Sequence, residues 1–245
     1  MKSFPDFSLE NEIADHFQLS PVVDHNKELI IAGCDEAGRG PLCGPVVAAA
    51  VIFVNRSPLD APIINDSKKM THTRREAAYD FVTNHPDIIW ATGQCSPAEI
   101  DEFNILRASM TAMRRAIDNL ARQPDFVLVD GNRLPDNLIN APLRDNNISS
   151  LASFDYISKM SGNKTMGRAI VRGDSKSLSI AAASIIAKVT RDRIMCELHE
   201  KFPNYDWNKN VGYPTAAHLQ AIKKYGITEL HRKTFAPVAR LIEDI

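Results

Sequence analysis

Between Leu29 and Ile52 two apolar runs of strand length, Leu29 to Cys34 and Val46 to Ile52, enclose a short Gly- and Pro-rich segment. That segment opens with two adjacent acids, Asp35 and Glu36, followed by Arg39. Apolar runs this short, bounded by turn residues, read as strands, and the segment between them as a functional turn. Successive strand side chains point to opposite faces, so a strand that simply continued would bury one carboxylate at high cost. The cost disappears if the strand ends here and both acids face a divalent cation, because Asp and Glu supply the hard oxygen donors that Mg²⁺ or Mn²⁺ takes. A solvated strand end whose acids only terminate pairing would show the same dipeptide. Gly38, Gly40 and Gly44 favour the first reading, since glycine permits positive φ and the close approach of a ligand. Arg39 between them carries a guanidinium suited to phosphate. Neither the dinucleotide-binding nor the P-loop glycine pattern is present.

The same theme recurs downstream. Phe126-Val127-Leu128-Val129 is an uninterrupted apolar run that ends in Asp130, and Ala169-Ile170-Val171-Arg172-Gly173 reads as a short strand ending in Asp174. An unbroken apolar strand suggests burial on both faces, as in a parallel sheet covered by helices. Helical patterns lie between the strands. Thr73 with Glu76 forms a capping-box pattern for a helix running to about His85, after the polar loop Asn65-Asp66-Ser67-Lys68-Lys69. Ile88 to Cys95 is a third strand, and Ser96-Pro97-Ala98-Glu99 starts a helix with N-cap, proline and acid in their preferred places. Ile100, Phe103, Leu106, Met110, Met113, Ile117 and Leu120 mark its buried stripe, with a break expected near Asn104. Residues 134 to 167 are polar and irregular and read as an insertion with a short helix around Leu151 to Met160. An alanine-rich helix then covers Ser179 to Met195. Alternating strands and helices predict an α/β fold.

If the sheet brings its strand ends together, Asp35, Glu36, Asp130 and Asp174 form a carboxylate cluster that repels itself unless cations bind. Two divalent ions about 3.5–4 Å apart would relieve that repulsion and suit phosphodiester cleavage.

With 245 residues, 44% hydrophobic and 24% charged, the composition is that of an ordinary soluble protein. No apolar run approaches the roughly 18 residues needed to cross a bilayer, and no signal-peptide core opens the chain, so a cytoplasmic protein is expected. Cys34, Cys43, Cys95 and Cys196 lack the C-x-x-C spacing and are expected to be reduced, without a zinc site. The net charge of −1 is unevenly spread: residues 1 to 30 hold six acids against Lys2 and Lys27. Residues 209 to 240 carry Lys209, Lys223, Lys224, Arg232, Lys233 and Arg240 against Glu229, which permits either a basic nucleic-acid face or solvated helix surfaces.

In order along the chain, Gly33-Cys34-Asp35-Glu36-Ala37-Gly38-Arg39-Gly40-Pro41, Asn65-Asp66-Ser67-Lys68-Lys69, Val129-Asp130-Gly131-Asn132-Arg133, Gly173-Asp174-Ser175-Lys176-Ser177 with Ala181 to Asp192, and Gly212-Tyr213-Pro214-Thr215 together resemble the ribonuclease HII (type 2 ribonuclease H) family. The resemblance implies an RNase H-like α/β fold, a mixed five-stranded sheet flanked by helices, with a small C-terminal helical region. It implies a metal-dependent endoribonuclease that degrades RNA in RNA/DNA hybrids and incises 5′ of ribonucleotides embedded in duplex DNA, leaving 3′-hydroxyl and 5′-phosphate ends. Asp35, Glu36, Asp130 and Asp174 would be the metal-binding catalytic acids, for Mg²⁺ or Mn²⁺. Gly38, Arg39 and Gly40 would sense the 2′-hydroxyl, and Tyr213 would pack on the neighbouring deoxyribose. Lys68, Lys188 and Arg191 are expected phosphate contacts.

On this reading residues 1 to 28 form an acidic, at most partly ordered extension, 29 to 205 the catalytic domain and 206 to 245 a helical region contributing to substrate binding. Nucleic acid is the expected partner, no membrane is involved, and the chain works as a monomer. Two other readings use the same residues: a related nuclease or polynucleotidyl transferase acting on DNA, and a catalytically silent hybrid-binding module.

Overall fold

The computed structural model describes residues 4–18, 29–56, 64–136, 138–140 and 165–243. Five strands of five to eight residues carry the sheet: β1 (Ile31–Ala37), β2 (Val46–Phe53), β3 (Ile88–Cys95), β4 (Phe126–Asp130) and β6 (Met166–Ile170). A two-residue strand, β5 (Ile139–Asn140), extends the edge, giving the order β3-β2-β1-β4-β6-β5. β1 pairs antiparallel with β2 and parallel with β4, and β4 pairs parallel with β6. The sheet is mixed, as expected, and β1 and β4 sit at its centre. The helix expected around Leu151 to Met160 lies outside the described residues.

Helices cover both faces. On one lie α3 (Pro97–Phe103) and α4 (Ile105–Asp118), whose Ile100, Ala112, Met113 and Ile117 pack against Ala48, Ala50, Val127 and Val129. Asn104, at φ +66°, separates the two helices, and its side chain accepts from the amides of Leu106 and Arg107, so one residue ends one helix and caps the next. On the other face lies α5 (Leu178–Lys201), whose alanines 181 to 183 and 187 allow it to settle close on Ala49 and Val51. Its first turn presses on β1: a Cβ on Gly33 would stand 2.2 Å from the Ser179 carbonyl carbon, so any side chain there would push the helix off the strand.

The expected capping box at Thr73 is displaced by one turn's start. α2 (His72–Asn84) is capped by Thr71, whose hydroxyl accepts from Arg74 N, while Glu76 reaches Arg193 on α5 at 2.7 Å. A threonine two residues earlier offers the same hydroxyl and takes the cap with an extended backbone.

The N-terminal segment departs most from expectation. Ser8–Gln18 form a helix, α1, and its Ile13 and Phe17 are buried against Phe126, Leu128, Ile170 and Ile180. Phe7 meets Phe53 edge-on, with ring centroids 5.1 Å apart. Leu9, Ile13 and Phe17 recur at a spacing of four, a short apolar stripe on a helix whose Glu12 and Asp15 face solvent while Glu10 is buried. Beyond α5, helices α6 (Trp207–Asn210), α7 (Ala216–Tyr225) and α8 (Ala236–Glu243) build a second small core from Tyr205, Trp207, Ile222 and Val238, closed by Leu42 and Cys43 from the turn after β1. Among the described residues no helix is long and apolar enough to cross a membrane.

Two outcomes follow. Phe17→Ala is expected to lower the unfolding free energy by about 3–5 kcal/mol, the range for truncating a buried aromatic, against about 0.5 kcal/mol or less if α1 were a loose appendage; urea denaturation reads the difference. Glu99 accepts from Arg115 at 2.7 Å and from Ser96 N, which together hold its pKa at about 2, below the ordinary 4.5. A depressed carboxylate stabilises fully above the unfolded value and loses that contribution as pH falls through the folded one. The melting-temperature gap between wild type and Glu99→Gln, worth about 0.2–1 kcal/mol for a partly exposed pair, is therefore expected at neutral pH and should shrink between pH 4.5 and 2.

Candidate active site

The register of the two central strands places the acids. β1 and β4 stay paired through Cys34 and Val129, and the next residues are Asp35 and Asp130. Neighbouring residues of parallel strands project from the same face, so these two carboxylates stand side by side where the strands part. β1 does not end at its acids, as the sequence suggested. It continues to Ala37, with Asp35 opposite Ala49 and Glu36 opposite Ala48 on β2. Asp35 is consequently 4% exposed, and Glu36 turns to Arg39, 3.2 Å away.

Asp174 arrives by a different route from that expected. β6 stops at Ile170, and the chain turns through Arg172, at φ +57°, into a 3₁₀ turn, Gly173–Ser175, which carries the acid. The amide of Gly173 donates to Asp130 Oδ1 at 2.6 Å, which ties that turn to the end of β4. A left-handed arginine inside an apolar-looking run has no pattern signature, so the sequence reads as continuous strand.

Burial, then the charges of Glu36 and Asp130, push the Asp35 pKa well above the carboxylate range. Burial raises Glu36 despite Arg39, and burial with Asp66 and Asp130 raises Asp174. Each shift states that the charged form is disfavoured and that a nearby cation would be welcome. One cation is already at hand: Lys68 Nζ lies 3.9 Å from Asp174, and although burial alone would lower its pKa, the charges of Asp35, Asp174, Asp66 and Asp130 raise it. Ser184 on α5 bonds to Asp35 and to Ser67, the latter at 2.8 Å. Asp66 and Ser184 fall within segments that carry the family resemblance but were given no role, because their roles depend on which helix face and which loop meet the strand ends.

A cleft of 440 Å³ opens over this end of the sheet, lined by Glu36, Ala37, Gly38, Arg39, Gly40, Ser67, Lys68, Asp130, Ser184, Lys188, Arg191 and Tyr213. It gathers nine of the eleven residues expected from the sequence. Asp35 lies buried behind it and Asp174 stands beside Lys68. Tyr213 is 43% exposed, and a Cβ on Gly40 would lie 3.3 Å from its ring, so ring and turn form one wall. Lys188 bonds to Asp192 at 2.7 Å at the rim.

Arg191 does not serve as expected. It is 1% exposed, and its guanidinium donates to the carbonyls of Pro45, Val211 and Cys43 at 2.9, 3.0 and 3.1 Å. It holds the turn instead of reaching for phosphate. Arg232, counted among the basic surface residues, is also fully buried and donates to Gly38, Arg39, Pro41 and Gly44 at 2.7–3.1 Å. Burial and the Arg191 charge lower its pKa to about 9, which keeps it charged at neutral pH.

The donor sets decide where a hard cation fits. The four acids offer oxygens only, the set that Mg²⁺ or Mn²⁺ takes. Cys43, His218 and His231 bring their donor atoms within 4.8 Å of one another, but this buried set is sulfur and nitrogen. Trp207 donates to His218 Nε2 at 3.1 Å and His218 Nδ1 faces the Tyr213 carbonyl at 2.9 Å, while burial pushes the Cys43 thiol up to about 12. That cluster packs as a neutral unit, with burial lowering the pKa of both histidines.

Comparison with known proteins agrees with this geometry. The sequence model described as "Ribonuclease HII" matches residues 32–238. The chain is 43% identical to "Ribonuclease HII" of Wolbachia pipientis wMel over 98% of its own length and 99% of the relative's, and 43% identical to that of Ehrlichia chaffeensis over 96% of each. The crystal structure of ribonuclease H2 from Pyrococcus horikoshii OT3 superposes with a TM-score of 0.65 at 26% identity, covering 88% of this chain and 98% of that one. With the acids, the turn and the sheet in place, the chain belongs to the ribonuclease HII family of endoribonucleases.

Proposed function

We propose that the chain is a divalent-metal-dependent nuclease that cleaves RNA in RNA/DNA hybrids and incises 5′ of a ribonucleotide embedded in duplex DNA. One observation carries this reading: a single cleft joins the carboxylates Glu36 and Asp130 to the Gly38-Arg39-Gly40 turn and Tyr213. The acids supply the chemistry and the turn with its tyrosine supplies the choice of nucleotide.

Asp35, Glu36, Asp130 and Asp174 would hold the ions, Mg²⁺ or Mn²⁺, by their oxygens. Bound there, the metal would activate the attacking water and stabilise the leaving 3′ oxygen. The protein's own groups set the geometry. Gly173 N and Ser184 orient Asp130 and Asp35. Lys68, whose side chain is 80% exposed, and Lys188 face the cleft from the side where a phosphate backbone would run. In the turn, Arg232 binds the carbonyls of Gly38, Arg39 and Pro41 and so turns them inward. A turn whose carbonyls are engaged behind presents N–H groups in front, the polarity that suits an acceptor such as the 2′-hydroxyl oxygen, the group that separates RNA from DNA. Glycine at 38 is required because a Cβ there would stand 2.0 Å from Arg191 Nε, at φ +95°. Tyr213 offers a ring against which a sugar can pack.

The test is cleavage of a labelled DNA duplex with one ribonucleotide, beside an RNA/DNA hybrid and an all-DNA duplex, in Mg²⁺, Mn²⁺ and chelator. Metal-dependent incision 5′ of the ribonucleotide and an intact all-DNA control are expected; cleavage of the all-DNA duplex would point to a DNA nuclease, and retained binding without cleavage to a silent hybrid-binding module. Asp35→Asn and Asp130→Asn should each reduce kcat by more than about 10²-fold, at least the scale set by removing one transition-state donor. Tyr213→Ala should cut kcat/KM on the single-ribonucleotide duplex by roughly 5- to 150-fold, the equivalent of about 1–3 kcal/mol of ring contact, and Tyr213→Phe should not. An equal loss on the uniform hybrid would remove Tyr213 from junction reading.

A further inference from the structure

Glu10 is a carboxyl with no exposure at all, on the helix that the sequence suggested was a loose extension. Its Oε1 accepts from the Ser177 hydroxyl at 2.6 Å and from Ser179 N at 3.1 Å, while Oε2 is buried without a hydrogen-bond partner. A buried carboxyl with one oxygen unsatisfied costs stability. Local rules are broken in this way where a site is being held.

The bonds continue inward. Ser177 N donates to Gly173 O at 2.8 Å, Lys176 N donates to the same oxygen at 2.9 Å, and Gly173 N donates to Asp130 Oδ1 at 2.6 Å. Alongside, Leu178 N donates to Asp6 O at 2.9 Å. A continuous relay thus runs from α1 through the turn that carries Asp174 to Asp130. That turn begins with Arg172 at φ +57°, a strained conformation for a side chain of this size that persists only when its surroundings over-determine it.

We infer that Glu10 is a positioning residue: through Ser177 and Gly173 it fixes the 173–177 turn and thereby the spacing of Asp130 and Asp174 for divalent metal. The inference rests on reading those two acids as metal ligands. It ties the N-terminal helix to the site through Glu10 alone, although none of the helix's described residues lines the cleft.

The experiment measures Mn²⁺ affinity of the metal-free full chain by electron paramagnetic resonance, beside kcat, KM for hybrid duplex and melting temperature. Glu10→Ala is expected to weaken Mn²⁺ binding and lower kcat by about 10- to 100-fold, the scale for groups that orient metal ligands, with KM within twofold. Glu10→Gln keeps an accepting Oε1 and should stay within about threefold of wild type, since the same two bonds re-form. Ile13→Val, which trims the core contact of the same helix, should lower the melting temperature and leave Mn²⁺ affinity unchanged. If Glu10→Ala does not fold, Ser177→Ala cuts the relay at its next member and is read the same way. Unchanged Mn²⁺ affinity and kcat in a destabilised Glu10→Ala would overturn the inference. Wild type that cleaves hybrid without binding Mn²⁺ would overturn the metal reading itself and the inference with it, and the wild-type titration alone tells those failures apart.

Discussion

Four carboxylates brought to one end of a sheet repel one another, and the structure around them is organised to hold that end in shape in spite of it. The parallel register of β1 and β4 sets Asp35 and Asp130 side by side, so their separation is a property of the sheet and not of flexible side chains. Burial beneath α5 raises the cost of charging Asp35, and Ser184 offsets part of it. Lys68 lines the same cleft, with its ammonium near Asp174 and under the charges of the same group of acids. A site built this way favours cations in the cleft whenever its acids are charged, which is the condition for binding metal next to a polyanionic substrate.

The glycine turn beside the acids is held by a second constraint. Arg191 and Arg232 are buried cations whose guanidinium donors go to backbone carbonyls, and that satisfaction is what makes their burial tolerable. Between them they engage the carbonyls of Gly38, Arg39, Pro41, Cys43, Gly44 and Pro45. Arg191 comes from α5 and Arg232 from the segment before α8, so the turn after β1 is fixed by parts of the chain that are far apart in sequence. The C-terminal helices therefore do more than extend the fold: their core closes on Leu42 and Cys43, and the position of Tyr213 against Gly40 depends on that closure.

Much of this was legible beforehand. Apolar runs ending in acids identified β1 and β4 and three of the four acids in place, and the Ser96–Glu99 capping box and the break at Asn104 were readable because caps are local chemistry. Asp174 was readable as a residue but not as a turn, since the left-handed Arg172 leaves no mark in an apolar pattern. α1 was missed because its stripe is three residues among acids, and its burial comes from Phe126, Leu128 and Ile180, all over a hundred positions away. Arg191 was read as a surface group because guanidinium is normally solvated; only the unpaired carbonyls of the folded turn make its burial favourable.

By itself, the sequence determined the class of the molecule: an α/β chain with hard-oxygen acids at strand ends, a glycine turn beside them and the motifs of one nuclease family. Those properties are local, set by side-chain chemistry and by spacing along a few residues. Tertiary structure alone decided which acids share a wall, which arginines are internal and that the N-terminal helix is bonded to the turn that carries Asp174. These depend on register and on backbone groups left unpaired at the strand ends, and partners for such groups come from whatever segment the fold brings near, at any distance in sequence.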